Sequence, residues 1–230
     1  MRKGLTEVVF ILDRSGSMSG LEADTIGGFN SMINKQKKED GEAYISTVLF
    51  DDQTEVLYDR VPVSKVEPMN DKQYYVRGCT ALLDALGGAI HHIGNVHKYA
   101  REEDRPSKTL FVITTDGLEN ASRNYSFKDV KKMIERQKEK YNWEFLFLGA
   151  NIDAIEVAGN MGISRDRAAN YNCDETGTAL NYQVLEAAVT RVRKCKSSAD
   201  MAMAFAGGAW KEDIDRDYEK RNKKNGRRAK

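Results

Sequence analysis

The stretch "VVFILDRSGSM", residues 8–18, decides how this chain is read. Five consecutive apolar residues, Val8–Leu12, leave no polar face, as expected of a strand covered on both sides. The run stops at Asp13, and oxygen-bearing side chains then recur at alternate positions: Asp13, Ser15 and Ser17. Asp and Ser suit a helix cap or a turn. They equally suit half of a metal site whose other half lies far away in the sequence.

The pattern around that stretch is an alternation. Leu110–Ile113 and Phe145–Leu148 are two more short, continuous apolar runs. "AYISTVLF" (43–50) and "TEVLYDRVPV" (54–63) flank "DDQ" and read as an antiparallel hairpin, with Asp51 and Asp52 in the turn and Pro62 suited to an edge. Between these lie helical stretches with apolar residues on one face. Leu21–Lys38 carries Ile26, Phe29 and Ile33, and Thr80–Ala100 carries Leu83, Leu86, Ile90 and Ile93. Phe127–Lys140 carries Val130, Met133 and Ile134, and Thr178–Lys194 carries Leu180, Val184, Ala188 and Val192. Strands alternating with helices predict an α/β fold: a mainly parallel, doubly wound sheet with one antiparallel edge strand and helices on both faces. In residues 145–163, Asp153 reads as the N-cap of a further helix, with a second ligand site there as the minor alternative.

Composition narrows the function classes. The 230 residues are 40% hydrophobic and 31% charged, as in a soluble globular protein. One domain is expected over residues 1–200, followed by an extension over 201–230. That extension ends in "KRNKKNGRRAK" (220–230), with seven Lys or Arg among eleven residues and no acid. It reads as a disordered basic tail or a contact for an acidic partner. A formal net charge of +1 argues against nucleic acid or a membrane as the main partner. No run approaches the ~20 apolar residues of a membrane span. Val8–Leu12 is shorter than the about 7–15 apolar residues of a signal peptide, so a cytoplasmic location is expected. Cys79, Cys173 and Cys195 are odd in number and widely spaced, which fits buried or inert thiols in a reducing compartment. His91, His92 and His97 lack the spacing of a metalloprotease helix and read as surface or packing residues. "GGFN" (27–30) and "LGGAI" (86–90) are too short and misplaced to cradle a phosphate.

In an open α/β sheet, ligands bind beyond the carboxyl ends of the strands, where the strand order reverses. Asp13, Ser15 and Ser17 follow one such end, and Asp116 in "LFVITTD" follows another. Thr80 in "RGCTALLDAL" stands where a long helix begins. On a shared rim, these five would be a set of hard oxygen donors without thiolate or imidazole, suited to magnesium or manganese rather than zinc or copper. Two carboxylates and three neutral hydroxyls would fill the shell incompletely, leaving room for water or an outside carboxylate.

With Asp13-Arg14-Ser15-Gly16-Ser17 matching D-x-S-x-S, Thr80 in "GCTAL" and Asp116 in "TTDG", the sequence resembles the von Willebrand factor A (VWA) family and its metal-ion-dependent adhesion site, MIDAS. The resemblance covers residues 5–150 well and extends over 150–195 as a last strand and helices. It implies that Ser15, Ser17 and Thr80 are hydroxyl ligands, Thr80 directly or through water. Asp13 and Asp116 would act mainly through water and orient the hydroxyls. Cys79 departs from the pattern, standing where family members often carry glycine. The function implied is a divalent-metal-dependent protein-binding module, not an enzyme, in which an Asp or Glu of the partner completes the shell of a magnesium ion, with manganese as the alternative. Two rival readings remain. One is a magnesium-dependent phosphatase or hydrolase using Asp13 as nucleophile, for which Arg14 and Arg77 are the nearest cations. The other is RNA binding through the basic tail.

Overall fold

Val8–Leu12 forms the middle of β1 (Arg2–Asp13), which lies between two parallel neighbours. A computed structural model describes residues 1–228, with side chains through Asn222. β1 pairs with β2 (Ala43–Phe50) on one side and with β4 (Pro106–Thr115) on the other. β3 (Thr54–Pro62) adds antiparallel to β2 as the edge strand. Beyond β4 come β5 (Glu144–Gly149) and β6 (Ala168–Asn170), giving the order β3-β2-β1-β4-β5-β6. This is the doubly wound, mainly parallel sheet with one antiparallel edge that the alternation predicts.

The apolar run is continuous because each of its two faces meets helices. Successive strand residues point to opposite sides. Val8, Phe10 and Leu12 join Phe29, Met32 and Ile33 of α1 (Glu22–Gln36) and Leu185 and Val189 of α5 (Glu175–Lys194). Val9 and Ile11 join Leu86, Ile90 and Ile93 of α2 (Leu82–Tyr99) and Val130 and Ile134 of α3 (Phe127–Tyr141). Each fully buried aliphatic or aromatic side chain contributes about 1.5–3 kcal/mol. The strand that carries the site is thus anchored on both faces. α3 opens with a capping box between Ser126 and Asp129, and the short α4 (Ala154–Asn160) is capped by Asp153 as expected.

The chain leaves β1 through α1 toward β2, and leaves β4 through α3 toward β5 on the other side. The order therefore reverses between β1 and β4, which opens a crevice at their carboxyl ends.

The opposite, amino-terminal rim buries two cations. The Lys108 ammonium, on β4, donates to the carbonyls of Val192 (3.0 Å), Arg193 (2.7 Å) and Cys195 (2.8 Å) at the end of α5. Arg193 donates to the carbonyls of Glu39 (2.9 Å) and Gly41 (2.9 Å), beyond the end of α1. Both cations satisfy carbonyls that a helix end or loop would otherwise leave bare.

Residue 200 is not a break in packing. α6 (Ser198–Phe205) and a kinked 3-10 segment (Ala206–Lys211) lead to α7 (Glu212–Arg228). Met201, Phe205, Trp210 and Ile214 join the same core as β1 and α5. The Trp210 indole N–H donates to the Asp166 carbonyl at 2.7 Å. The basic stretch expected to be disordered is helical in backbone as far as Arg228, and its last two residues lie outside the described residues. Among the described residues, no helix is long and apolar enough to cross a membrane.

Candidate metal centre

Asp13 is the last residue of β1 and is 1% exposed. Its Oδ1 accepts from the Ser15 N–H at 2.7 Å, which turns the chain back over the strand end. Its Oδ2 accepts from the Thr115 hydroxyl at 2.5 Å. Thr115 reaches it because β1 and β4 run parallel with Leu12 opposite Thr114. The buried Tyr74 hydroxyl donates to the Asp13 carbonyl at 2.5 Å, holding the turn from below.

The other four residues gather around that turn. Thr80 Oγ1 donates to Ser15 Oγ at 3.1 Å, and Ser15 Oγ lies 3.0 Å from Ser17 Oγ. The Ser17 hydroxyl donates to Asp116 Oδ1. The loop after β4 also grips Thr80: Asn120 Oδ1 accepts from the Thr80 N–H at 2.9 Å, and the Asn120 N–H donates to the Thr80 carbonyl at 3.0 Å. All five residues singled out in the sequence, Asp13, Ser15, Ser17, Thr80 and Asp116, therefore share one rim of the sheet, at the point where strand order reverses.

The helix-cap reading of these residues fails. Leu21 occupies the N-cap of α1 and caps nothing with its side chain. Ser15 precedes a 3-10 turn over Gly16–Met18 but makes no side-chain cap bond to it. The departure at Cys79 costs the loop no freedom, because the neighbouring Gly78 supplies the bend. Gly78 has φ +66°, and a Cβ there would lie 2.3 Å from Asp52 Oδ1.

Cys173, in the loop from β6 to α5, was not singled out in the sequence for this site. It donates from Sγ to Asp116 Oδ2 at 3.3 Å. Burial, and then the nearby Asp116 charge, push its thiol up to about 12, so it is a protonated donor. The three cysteines are free; Cys79 is exposed and the other two are half-buried.

Burial raises the Asp13 carboxyl above its ordinary pKa, against hydrogen bonds from Ser15 and Thr115, and the neighbouring Asp116 adds to the rise. Burial raises Asp116 as well, against hydrogen bonds from Ser17 and Cys173. Among the described residues, neither carboxylate has a Lys, Arg or His ion-pair partner. The nearest cations are already engaged. Arg14, itself fully buried, donates to Asp51 Oδ2 at 2.8 Å and Glu55 Oε2 at 2.8 Å. Arg77 donates to the same Asp51 oxygen at 2.8 Å. Burial pushes Asp51 up, but its hydrogen bonds, led by that of Arg77, outweigh this and hold it below the ordinary carboxylate value. Asp51 is thus the hub of an ion-pair network more than a plain turn residue. That network ties both arginines to Asp51 rather than to Asp13.

Two buried carboxylates without a counter-cation are costly. Three hydroxyls converge beside them, and Gly117 keeps the approach clear. A Cβ at position 117 would stand 3.1 Å from Thr80 Oγ1 and 3.2 Å from Ser17 Oγ. Three hydroxyls, of Ser15, Ser17 and Thr80, beside two carboxylates make the donor character of this rim hydroxyl-rich and hard. A divalent cation of the magnesium or manganese kind fits that donor set.

The sequence matches no protein-family model and none of the curated proteins. Similar solved structures do exist. Proximal thread matrix protein 1 from the mussel byssus, in a form with a zinc-occupied MIDAS motif, superposes with TM-score 0.55 at 15% identity, over 82% of this chain and 46% of that one. A von Willebrand factor type A structure from Catenulispora acidiphila gives 0.51 at 14% identity, over 81% and 42%. The manganese-loaded TRAP protein of Plasmodium vivax gives 0.53 at 18% identity, over 78% and 73%. The chain spans less than half the length of the first two. The fold is VWA-like.

Proposed function

We propose that this VWA-like chain is a divalent-ion-dependent protein-binding module whose centre is the rim of Asp13, Ser15, Ser17, Thr80 and Asp116. The observation that carries the reading is the pairing of two buried carboxylates, without a cation partner among the described residues, with three convergent hydroxyls at the sheet's reversal point. Ser15, Ser17 and Thr80 would hold a magnesium or manganese ion, with Asp13 and Asp116 orienting them and compensating its charge. When bound, the ion supplies positive charge and a coordination position that an Asp or Glu carboxylate of a partner protein can fill.

The chain's own residues account for the rest. Thr115 and the Ser15 N–H fix both oxygens of Asp13, so the turn carrying Ser15 and Ser17 is held before any partner arrives. Asn120 fixes the backbone of Thr80 from both sides. Such preorganisation reduces the entropy lost on binding. Support also comes from the metal-loaded MIDAS of the byssus protein and the manganese-loaded TRAP protein, which share the fold. The three unpaired cysteines suit a reducing compartment such as the cytoplasm.

The test is capture by the immobilised full chain, with magnesium and with chelator, followed by identification of whatever differs. Capture that needs the ion, and that is lost when one Asp or Glu of the captured protein is changed to its amide, supports the reading. Metal-independent capture refutes it, and so does turnover of a phosphate ester that falls in Asp13→Asn.

A further inference from the structure

At the other end of the sheet, between α2 and α3, lies a cleft of about 390 Å³ that the proposed function does not use. Its charge is one-sided. Lys98, Arg105, Arg136, His91 and His97 line it, and among the described residues no Asp or Glu does. His97 is engaged with the buried Glu7 at 2.5 Å. Arg105 is held by the Ala100 and Lys98 carbonyls at 3.0 and 3.2 Å. Arg136 and His91 are exposed and have no hydrogen bond or ion pair among the described residues. One guanidinium and one imidazole at the mouth are therefore unspent.

One wall of the cleft is apolar and aromatic. Met133, Tyr141 and Trp143 line it, with Trp143 stacked on Phe111 at a centroid distance of 5.3 Å. Asn95, Ser107 and Thr109 also line the cleft, and Gln137 Oε1 is buried with no hydrogen-bond partner among the described residues. The amide lies against α2 at Gly94, where a Cβ would stand 3.2 Å from Gln137 Nε2. A buried acceptor left without a donor costs about 1–3 kcal/mol. An N–H brought by a ligand would recover it.

We propose that this cleft binds a small planar anion carrying an N–H donor, of the aminopurine mononucleotide class. The ring would lie among Met133, Tyr141 and Trp143, its amino group would donate to Gln137 Oε1, and its phosphate would meet Arg136, His91 and Lys98. The volume falls within the roughly 300–1,000 Å³ of small-molecule sites. A bare phosphate would leave both the apolar wall and Gln137 unused. A neutral nucleoside would leave the cations unused.

The test is calorimetric titration of the full chain, in chelator and at low salt. Chelator prevents the phosphate from binding through an ion at the opposite rim. The ligands are adenosine monophosphate, purine riboside monophosphate (which lacks the amino group), adenosine, ribose phosphate and inorganic phosphate. Adenosine monophosphate should bind saturably, with the other four each weaker by at least about fivefold. Arg136→Glu, at an exposed position, should weaken adenosine monophosphate by at least about tenfold. Gln137→Leu should abolish the preference over purine riboside monophosphate, and Asp13→Asn should change nothing. The proposal is overturned if adenosine monophosphate does not saturate below about 1 mM. Equal binding of inorganic phosphate, indifference to Arg136→Glu and Gln137→Leu, or loss of binding in Asp13→Asn would overturn it as well.

Discussion

At the amino-terminal rim, Lys108 is 2% exposed and its ammonium meets three carbonyl oxygens at 2.7–3.0 Å. At the carboxyl rim, Asp13 and Asp116 are each 1% exposed and meet hydroxyls, a thiol and a backbone N–H, but among the described residues no cation. Burial pushes the Lys108 ammonium down and both carboxyls up, so each rim bears a desolvation cost. The two rims differ in what offsets it. Lys108 ties the end of α5 to the sheet, and its cost is repaid within the fold. The carboxylates are only partly repaid, and their remaining deficit is one of positive charge. Arg14 and Asp51, on the same rim and equally buried, show that this chain can pair a charge when the fold needs it. A buried charge closed off by its own protein is architecture, and one left open is a site.

The comparison is broken most forcefully at Lys108. Lys108→Met keeps the volume but leaves the Val192, Arg193 and Cys195 carbonyls without their donor. Stability in urea should fall by about 3 kcal/mol, as when a buried charged partner is removed. A loss under about 1 kcal/mol would mean that Lys108 does not clamp α5.

Asp13→Asn should act in the opposite sense. In chelator at neutral pH it removes an uncompensated charge, and the unfolding free energy should rise by about 1 kcal/mol. A carboxyl whose pKa is raised by folding gives stability that is present below its unfolded value and lost as pH rises through its folded value. The advantage of Asp13→Asn over wild type should therefore be absent below the ordinary value of 3.8 and grow as pH rises above it. Urea titrations across that range check the sign. An advantage that shrinks with pH would contradict it.

Smaller effects are expected at the neutral donors. Thr80→Ala removes a hydroxyl but neither carboxylate, so ion affinity should fall by only about three- to tenfold. Partner affinity should fall further and should not be restored by saturating magnesium. Cys173 supplies only a weak S–H donor to Asp116, so Cys173→Ala should change ion affinity by less than about threefold. A larger loss would make the loop from β6 to α5 part of the centre.

What was legible in the sequence follows from how locally each feature is determined. β1, β4 and β5 are buried on both faces, so each appears as an unbroken apolar run. The hairpin of β2 and β3 was equally plain, with Pro62 closing the edge strand. β6 has only three residues, Ala168–Asn170, too few for any period to register. The segment after residue 200 was read as an extension because its strongly basic end sets it apart, although Met201, Phe205 and Trp210, in the uncharged run 201–210, and Ile214 just beyond it are all buried. The five rim residues stood out because each follows an apolar run or precedes a helix. Thr115, Tyr74 and Cys173 did not. Their parts depend on the register of β1 against β4 and on the course of two loops, which no short stretch of sequence encodes.

The central claim is that the charge deficit at the carboxyl rim is filled by a divalent ion. Calorimetric titration of manganese and magnesium into chelator-stripped wild type, Asp13→Ala and Asp116→Ala, with far-UV circular dichroism on the same samples, tests it most directly. One ion should bind per wild-type chain, and each variant should bind at least about tenfold more weakly while keeping its secondary structure. Equal binding by all three proteins would contradict the claim.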